Sequence, residues 1–234
     1  MMSGFSTKKI LWIALFVDFV AIAAVIFRAI LLDKGPYRYF DEGSLINWLS
    51  GVQLLIIAGI NWKIYRLRIG RKEVSQPGKN YQRLWQFLTF GFVFCALDEL
   101  IQIHERLDKF IHWIFQIQET ALTDSIDDLI IVIYGIIGLL VIYYFRQEFY
   151  QYREAFSYFK IALILACCSI ALDFFTQGQE ISNLLTETQE MQREWLRSIE
   201  EIFKIFAEVF LITTFYKCLR IAQRIKFIAL RARE

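Results

Sequence analysis

ILWIALFVDFVAIAAVIFRAILL, residues 10–32, is interrupted by only two charged side chains, Asp18 and Arg28. As a helix rising 1.5 Å per residue it extends for about 34 Å, enough to cross the roughly 30 Å of hydrocarbon in a bilayer. Helix is the form to expect, because an open sheet would leave backbone amides and carbonyls unpaired in lipid. A cleaved signal peptide is the competing reading, and Asp18 argues against it, since it falls where an h-region should be apolar.

Five more apolar stretches follow, at 45–65, 84–103, 129–144, 161–175 and 202–219. The fourth and fifth of the six are short as apolar runs, so their ends must reach into polar flanks. The expectation is an all-α, polytopic membrane protein. Six transmembrane helices form one domain over residues 1–234, with a cytoplasmic loop at 66–83 and a cytoplasmic tail at 220–234. Composition agrees: 56% of the residues are hydrophobic and 17% aromatic, there are two prolines, and the mean hydropathy is +0.40, too apolar for an ordinary soluble domain.

Charge supplies the orientation. With the N-terminus inside, 18 of the 26 Lys and Arg fall on the cytoplasmic side, against five of the 24 acids, as the positive-inside rule requires. Trp12, Trp62 and Trp85 then sit at cytoplasmic ends, and Trp48, Trp113 and Trp195 at the opposite ends, as in an aromatic belt. Both termini are placed in the cytoplasm, and the bilayer expected is a bacterial plasma membrane or another energy-transducing membrane. The cysteines, Cys95, Cys167, Cys168 and Cys218, form no CxxC or Cys/His spacing and read as packing residues. No phosphate loop or nucleic-acid motif is present, so no nucleic-acid partner is expected.

An internal repeat organises the second half. Ala96-Leu97-Asp98 is followed by Gln102 and Glu105, and Ala171-Leu172-Asp173 by Gln177 and Glu180 at the same spacing. Each is echoed further on, by Ser125-Ile126-Asp127-Asp128 and Ser198-Ile199-Glu200-Glu201. Helices 3–4 and 5–6 therefore read as parallel internal repeats related by an axis along the membrane normal. On a helix, Asp98, Gln102 and Glu105 share one face, as do Asp173, Gln177 and Glu180. The charged and aromatic segment 106–115 suits a helix lying at the membrane interface.

Depth makes the acids informative, because a charge near mid-membrane costs about 2.5 to 3.5 kcal/mol on insertion scales. Asp98, Glu99, His104, Glu105, Asp128, Asp173, Glu201 and Glu208 are accordingly the candidate cation ligands, around a polar cavity on the non-cytoplasmic side. Structural alternatives stand beside this. Ser125 with Asp128 and Ser198 with Glu201 fit the capping box, Lys204 and Glu208 could neutralise each other at i, i+4, and Asp18 reads as an interhelical hydrogen bond before a proton relay. His104 and His112 read as hydrogen-bonded or interfacial before ligands. Oxygen donors with one histidine suit Ca²⁺, Mg²⁺ or Mn²⁺ better than a soft metal; without a metal, crowded carboxylates would hold a proton.

The segment Leu97-Asp98-Glu99 to His104-Glu105 resembles the LDE-x4-HE signature of an uncharacterised family of bacterial multi-pass membrane proteins. Glu200-Glu201 through Lys204 to Ala207 resembles that family's EE-x2-E-x2-G, with Lys204 in place of an acid and Ala207 in place of glycine. The resemblance implies the multi-pass fold and brings no activity. Three functions stay open: a cation-binding site for transport or sensing, a membrane-embedded hydrolase or lipid-modifying enzyme, and a scaffold or accessory subunit with membrane-protein partners or further copies of itself.

Overall fold

Helix α1 (Thr7–Leu31) begins where Ser6 Oγ accepts the Lys9 amide at 3.2 Å. Helix α2 (Leu45–Arg68) repeats the device with Ser44 and the Asn47 amide at 3.2 Å, each serine satisfying one of the donors a helix start leaves open. The computed structural model that shows this describes residues 5–32, 35–40, 43–69, 81–115, 126–177 and 187–231. The chain continues as α3 (Gln82–Ile101), α4 (Ile103–Phe115), α5 (Ile126–Tyr144), α6 (Arg146–Tyr150), α7 (Phe156–Gln177) and α8 (Glu187–Arg231). Short 3-10 turns lie at Tyr37–Tyr39 and Arg153–Ala155, and no strand occurs among the described residues.

Four helical segments are long and apolar enough to cross a membrane: Thr7–Leu31, Leu45–Arg68, Gln82–Ile101 and Arg153–Asp173. The apolar part of α5, Leu129–Tyr144, is shorter. The sixth apolar stretch is the middle of α8, a helix of 45 residues and so about 67 Å long. There Glu208, Lys217 and Arg220 keep it from being an uninterrupted apolar run. Residues 220–231, expected as a tail, continue the same helix, and the loop at 66–83 is shortened because α2 runs on to Arg68.

Helices α2, α3 and α8 form the centre, with α7 laid along α8 and α1 against α8. The shared core joins Leu54 and Ile57 of α2, Leu84 and Leu88 of α3, and Ile212 and Phe215 of α8. Phe92 and Phe215 meet edge to face at 5.4 Å, a preferred aromatic geometry. Gly51 lets α2 approach α3, since a Cβ there would stand 2.9 Å from Leu100 Cγ. Helix α1 buries only the stripe Asp18, Ile22, Val25 and Ala29, the 3–4 spacing of one helical face, and leaves Trp12, Phe16, Phe19 and Phe27 exposed.

The two hairpins that the sequence pairs as repeats pack differently. Helices α7 and α8 run together, whereas α5 touches α3 and α4 only lightly. Helix α3 also stops short. Gln102 takes a left-handed backbone, φ 56°, and α4 starts at the next residue. The continuous face expected for Asp98, Gln102 and Glu105 is therefore broken, because a left-handed residue ends the i, i+4 register.

Candidate functional site

Helix α2 carries the residues around which the site is built. Asn47, Ser50, Gln53, Asn61 and Arg68 are all buried. At 100° per residue they fall within a 120° arc, so one polar stripe runs the length of the helix, whose other charged residues are Lys63 and Arg66 near its C-terminal end. Two clusters gather at its ends.

At the Asn47 end, Glu99 of α3 accepts two hydrogen bonds from Asn47 Nδ2, at 2.9 Å to its backbone oxygen and 3.0 Å to Oε1. The same Oε1 lies 3.0 Å from Lys204 Nζ of α8, and Lys204 is in turn 2.6 Å from Glu201 Oε2. One turn deeper, Ser50 Oγ donates to Glu208 Oε1 at 2.7 Å, while Glu208 Oε2 is buried without a hydrogen-bond partner. Asp173 of α7 lies within electrostatic reach of Glu200 and Glu201. Two carboxylates thus hold one ammonium where side chains of α2, α3 and α8 meet, and a third carboxylate, Glu208, lies one turn along α8 on the Ser50 hydroxyl.

Asp98 turns the other way. Its Oδ1 accepts the His104 amide at 2.8 Å and its Oδ2 lies 3.0 Å from His104 Nδ1. It caps the start of α4 across the break at Gln102, a place where a negative charge also meets the positive end of the helix dipole. On one unbroken helix His104 would stand well round from Asp98; it reaches Asp98 because the left-handed Gln102 breaks the helix between them. His112 makes a similar pair on α4, its Nδ1 3.0 Å from Asp108 Oδ1. Glu105 and Asp128 lie in α4 and α5 with their side chains outside the described residues.

The capping reading of Ser198 and Glu201 does not hold. Helix α8 starts at Glu187, and Ser198 is interior to it, donating to the Glu194 carbonyl at 2.8 Å. Ser125, its counterpart, is outside the described residues. Lys204 and Glu208 do not neutralise each other, because Lys204 is taken by Glu99 and Glu201 and Glu208 by Ser50. Asp18 makes the expected interhelical hydrogen bond, with Gln53 Nε2 of α2 at 2.6 Å. Among the described residues no three of His, Cys, Asp and Glu stand together as a metal site.

At the other end of the stripe Arg68 pairs with Glu148 of α6, both buried. Trp85 Nε1 donates to Glu148 at 3.0 Å and Tyr152 OH at 3.4 Å. Tyr81 OH donates to Gln147 at 2.6 Å. Near this end an open groove of about 620 Å³ is lined by Ile137, Leu140, Val141, Tyr144, Arg146 and Gln147.

Reading for acids and histidines missed the α2 stripe and the Arg68–Glu148 pair. The signal was present: Asn47, Ser50, Gln53 and Asn61 interrupt a span at spacings that share a face, and polar residues inside such a span face the bundle interior.

Compared with known proteins, residues 10–218 match the family described as Domain of unknown function (DUF8692). Neither a curated protein nor a solved structure matches the chain.

Proposed function

The chain belongs to that family of unknown function, which lends no activity, and we propose from the site itself that it is a membrane protein whose Glu99–Lys204–Glu201–Glu208 cluster binds a cation for transport or sensing. The carrying observation is the charge excess: Glu99 and Glu201 share one lysine, and buried Glu208, held only by the Ser50 hydroxyl, keeps one oxygen unpartnered. Uncompensated negative charge in a low-dielectric setting is neutralised by a bound cation or a proton. A proton fits best, since Lys204 already stands where a divalent ion would sit. Ca²⁺, Mg²⁺ or Mn²⁺ would have to displace its ammonium.

In this reading the basic end of the bundle faces the cytoplasm and the carboxylate end the opposite side. The two helices beyond the four apolar ones complete six spans, α5 with extended flanks and α8 with its charges turned inward. Its long ends then project from both faces, because about 67 Å exceeds the membrane thickness. The setting is a bacterial plasma membrane or another energy-transducing membrane.

The test is thermal unfolding of the purified protein across pH and across millimolar Na⁺, Ca²⁺, Mg²⁺ and Mn²⁺. A ligand that binds only the folded state raises the melting temperature. A proton site gives melting that changes with pH in the wild type and much less in Glu208→Gln. A divalent site gives a shift with one metal that Glu201→Gln abolishes. Identical melting of wild type and both variants under every condition overturns the proposal.

A second reading, an accessory subunit or homo-oligomer, is favoured by α5, which exposes Ile133, Ile136, Leu140 and Tyr143 and packs lightly on its own chain. Native mass measured after extraction tests it: a monomer without co-purifying chains removes this reading.

A further inference from the structure

Between the two clusters lies a carboxylate that neither uses. Asp18 is fully buried and Gln53 is 4% exposed. Gln53 Nε2 donates to Asp18 Oδ1 at 2.6 Å, yet Asp18 Oδ2 and Gln53 Oε1 are both buried without a hydrogen-bond partner. Two orphaned acceptors on one interacting pair cost free energy that a single proton removes. With a proton on Oδ2, the carboxylic acid donates to Gln53 Oε1 while Gln53 still donates to Oδ1. A cyclic acid–amide pair results, in which both orphaned oxygens are satisfied.

The pair is one element of a longer series. From Asn47 to Arg68 the α2 stripe covers about 31 Å at 1.5 Å per residue, close to the full hydrocarbon thickness. Glu208 is held by Ser50, Asp18 by Gln53, and Glu148 by Arg68. Asn61, between the last two, is fully buried and donates to the Ile57 carbonyl, leaving its Oδ1 unpartnered. Gln53 is the group that faces Asp18 from α2. Charged groups on the elements packed against it are Lys204 and Glu208 on α8, Arg68 at the far end of α2, and Lys9 and Arg28 about ten residues to either side on α1.

We propose that Asp18 and Gln53 form a proton-binding relay within a track along α2 that leads inward from the outer carboxylate cluster past Asn61. This rests on the reading of the outer cluster as a proton site. A proton passed inward from Glu208 binds Asp18 Oδ2, and its release toward Asn61 restores the carboxylate. One proton enters, one leaves, and nothing is oxidised or reduced. The intervals exceed one hydrogen bond, so the track requires water to enter between the stations.

The experiment reconstitutes the full chain in liposomes containing a pH-sensitive dye and imposes an inside-negative potassium diffusion potential. The wild type acidifies the lumen, Asp18→Asn falls to the level of protein-free vesicles, and Asp18→Glu retains flux. Asn61→Ala, which leaves the Asp18 pair intact, lowers flux independently should Asp18→Asn fail to fold. Infrared difference spectra add a readout without transport: a carbonyl band of a protonated carboxyl that is present at neutral pH in the wild type and in Glu208→Gln is missing from Asp18→Asn. No wild-type flux, or wild-type flux in folded Asp18→Asn, overturns the track, and so does unchanged flux in Asn61→Ala. If Glu208→Gln still alters the pH dependence of melting in that event, the outer site stands and only the track is lost.

Discussion

The two ends of the α2 stripe hold buried ionic clusters of opposite design. At the basic end one guanidinium meets one carboxylate, and Trp85 and Tyr152 supply Glu148 with further donors. Charge balances and the acceptors are filled, which is how a buried pair avoids a net desolvation penalty. At the other end three carboxylates share one lysine and a hydroxyl, and an oxygen of Glu208 stays open. The balanced cluster has what a structural joint needs, and it clamps α6 beneath α2 and α3. The unbalanced one has capacity left over, which is what a binding site needs.

The largest effect that could break this contrast is expected at the balanced end. Glu148→Ala removes the carboxylate paired with buried Arg68 and should cost about 3 to 5 kcal/mol, read as a lower melting temperature. Arg68→Met with Glu148→Leu should recover most of it. Wild-type melting of Glu148→Ala would mean that the joint holds nothing. At the unbalanced end, Lys204→Met leaves Glu99 and Glu201 facing each other. Its melting should fall by the equivalent of about 1 to 3 kcal/mol, the cost of an unsatisfied buried partner, and, unlike the wild type's, should recover strongly as salt or divalent ions are added. No recovery would make this cluster structural too.

Packing offers a smaller check. Gly51→Val places a side chain against Leu100 and should destabilise by about 1 to 3 kcal/mol through overpacking. It should also weaken the Asn47–Glu99 contact one turn away more than the Arg68–Glu148 pair, as hydrogen exchange at α3 and α6 would show. The smallest effect belongs to an exposed pair. Lys217 Nζ lies 2.9 Å from Glu154 Oε2. Glu154 is half exposed, so Glu154→Gln should cost less than about 1 kcal/mol at neutral pH. A larger loss would show that charge outside the two clusters matters as well.

The apolar runs at 10–32 and 45–65 were legible because helix length against bilayer thickness is a one-dimensional criterion. Glu99, Glu201 and Glu208 were legible as site candidates because acids are costly in apolar segments. The Ser198–Glu201 cap misled, because a capping pattern inside a longer helix is indistinguishable from one at its start. The stripe expected from Asp98 to Glu105 failed for a similar reason. Gln102 is no glycine, and its left-handed backbone goes with its surroundings, where Asp98 accepts the His104 amide at the start of α4.

By itself the sequence determined that this chain is helical, which of its segments are apolar enough to cross a bilayer, and which side chains are too polar to lie there without partners. Those properties follow from local composition and helical period. Tertiary structure alone decided the partners: that Lys204 goes to Glu99 and Glu201, that Glu208 takes Ser50, and that Asp18 takes Gln53. Pairing depends on which helix faces are brought together, and that is a property of packing among segments up to 158 residues apart.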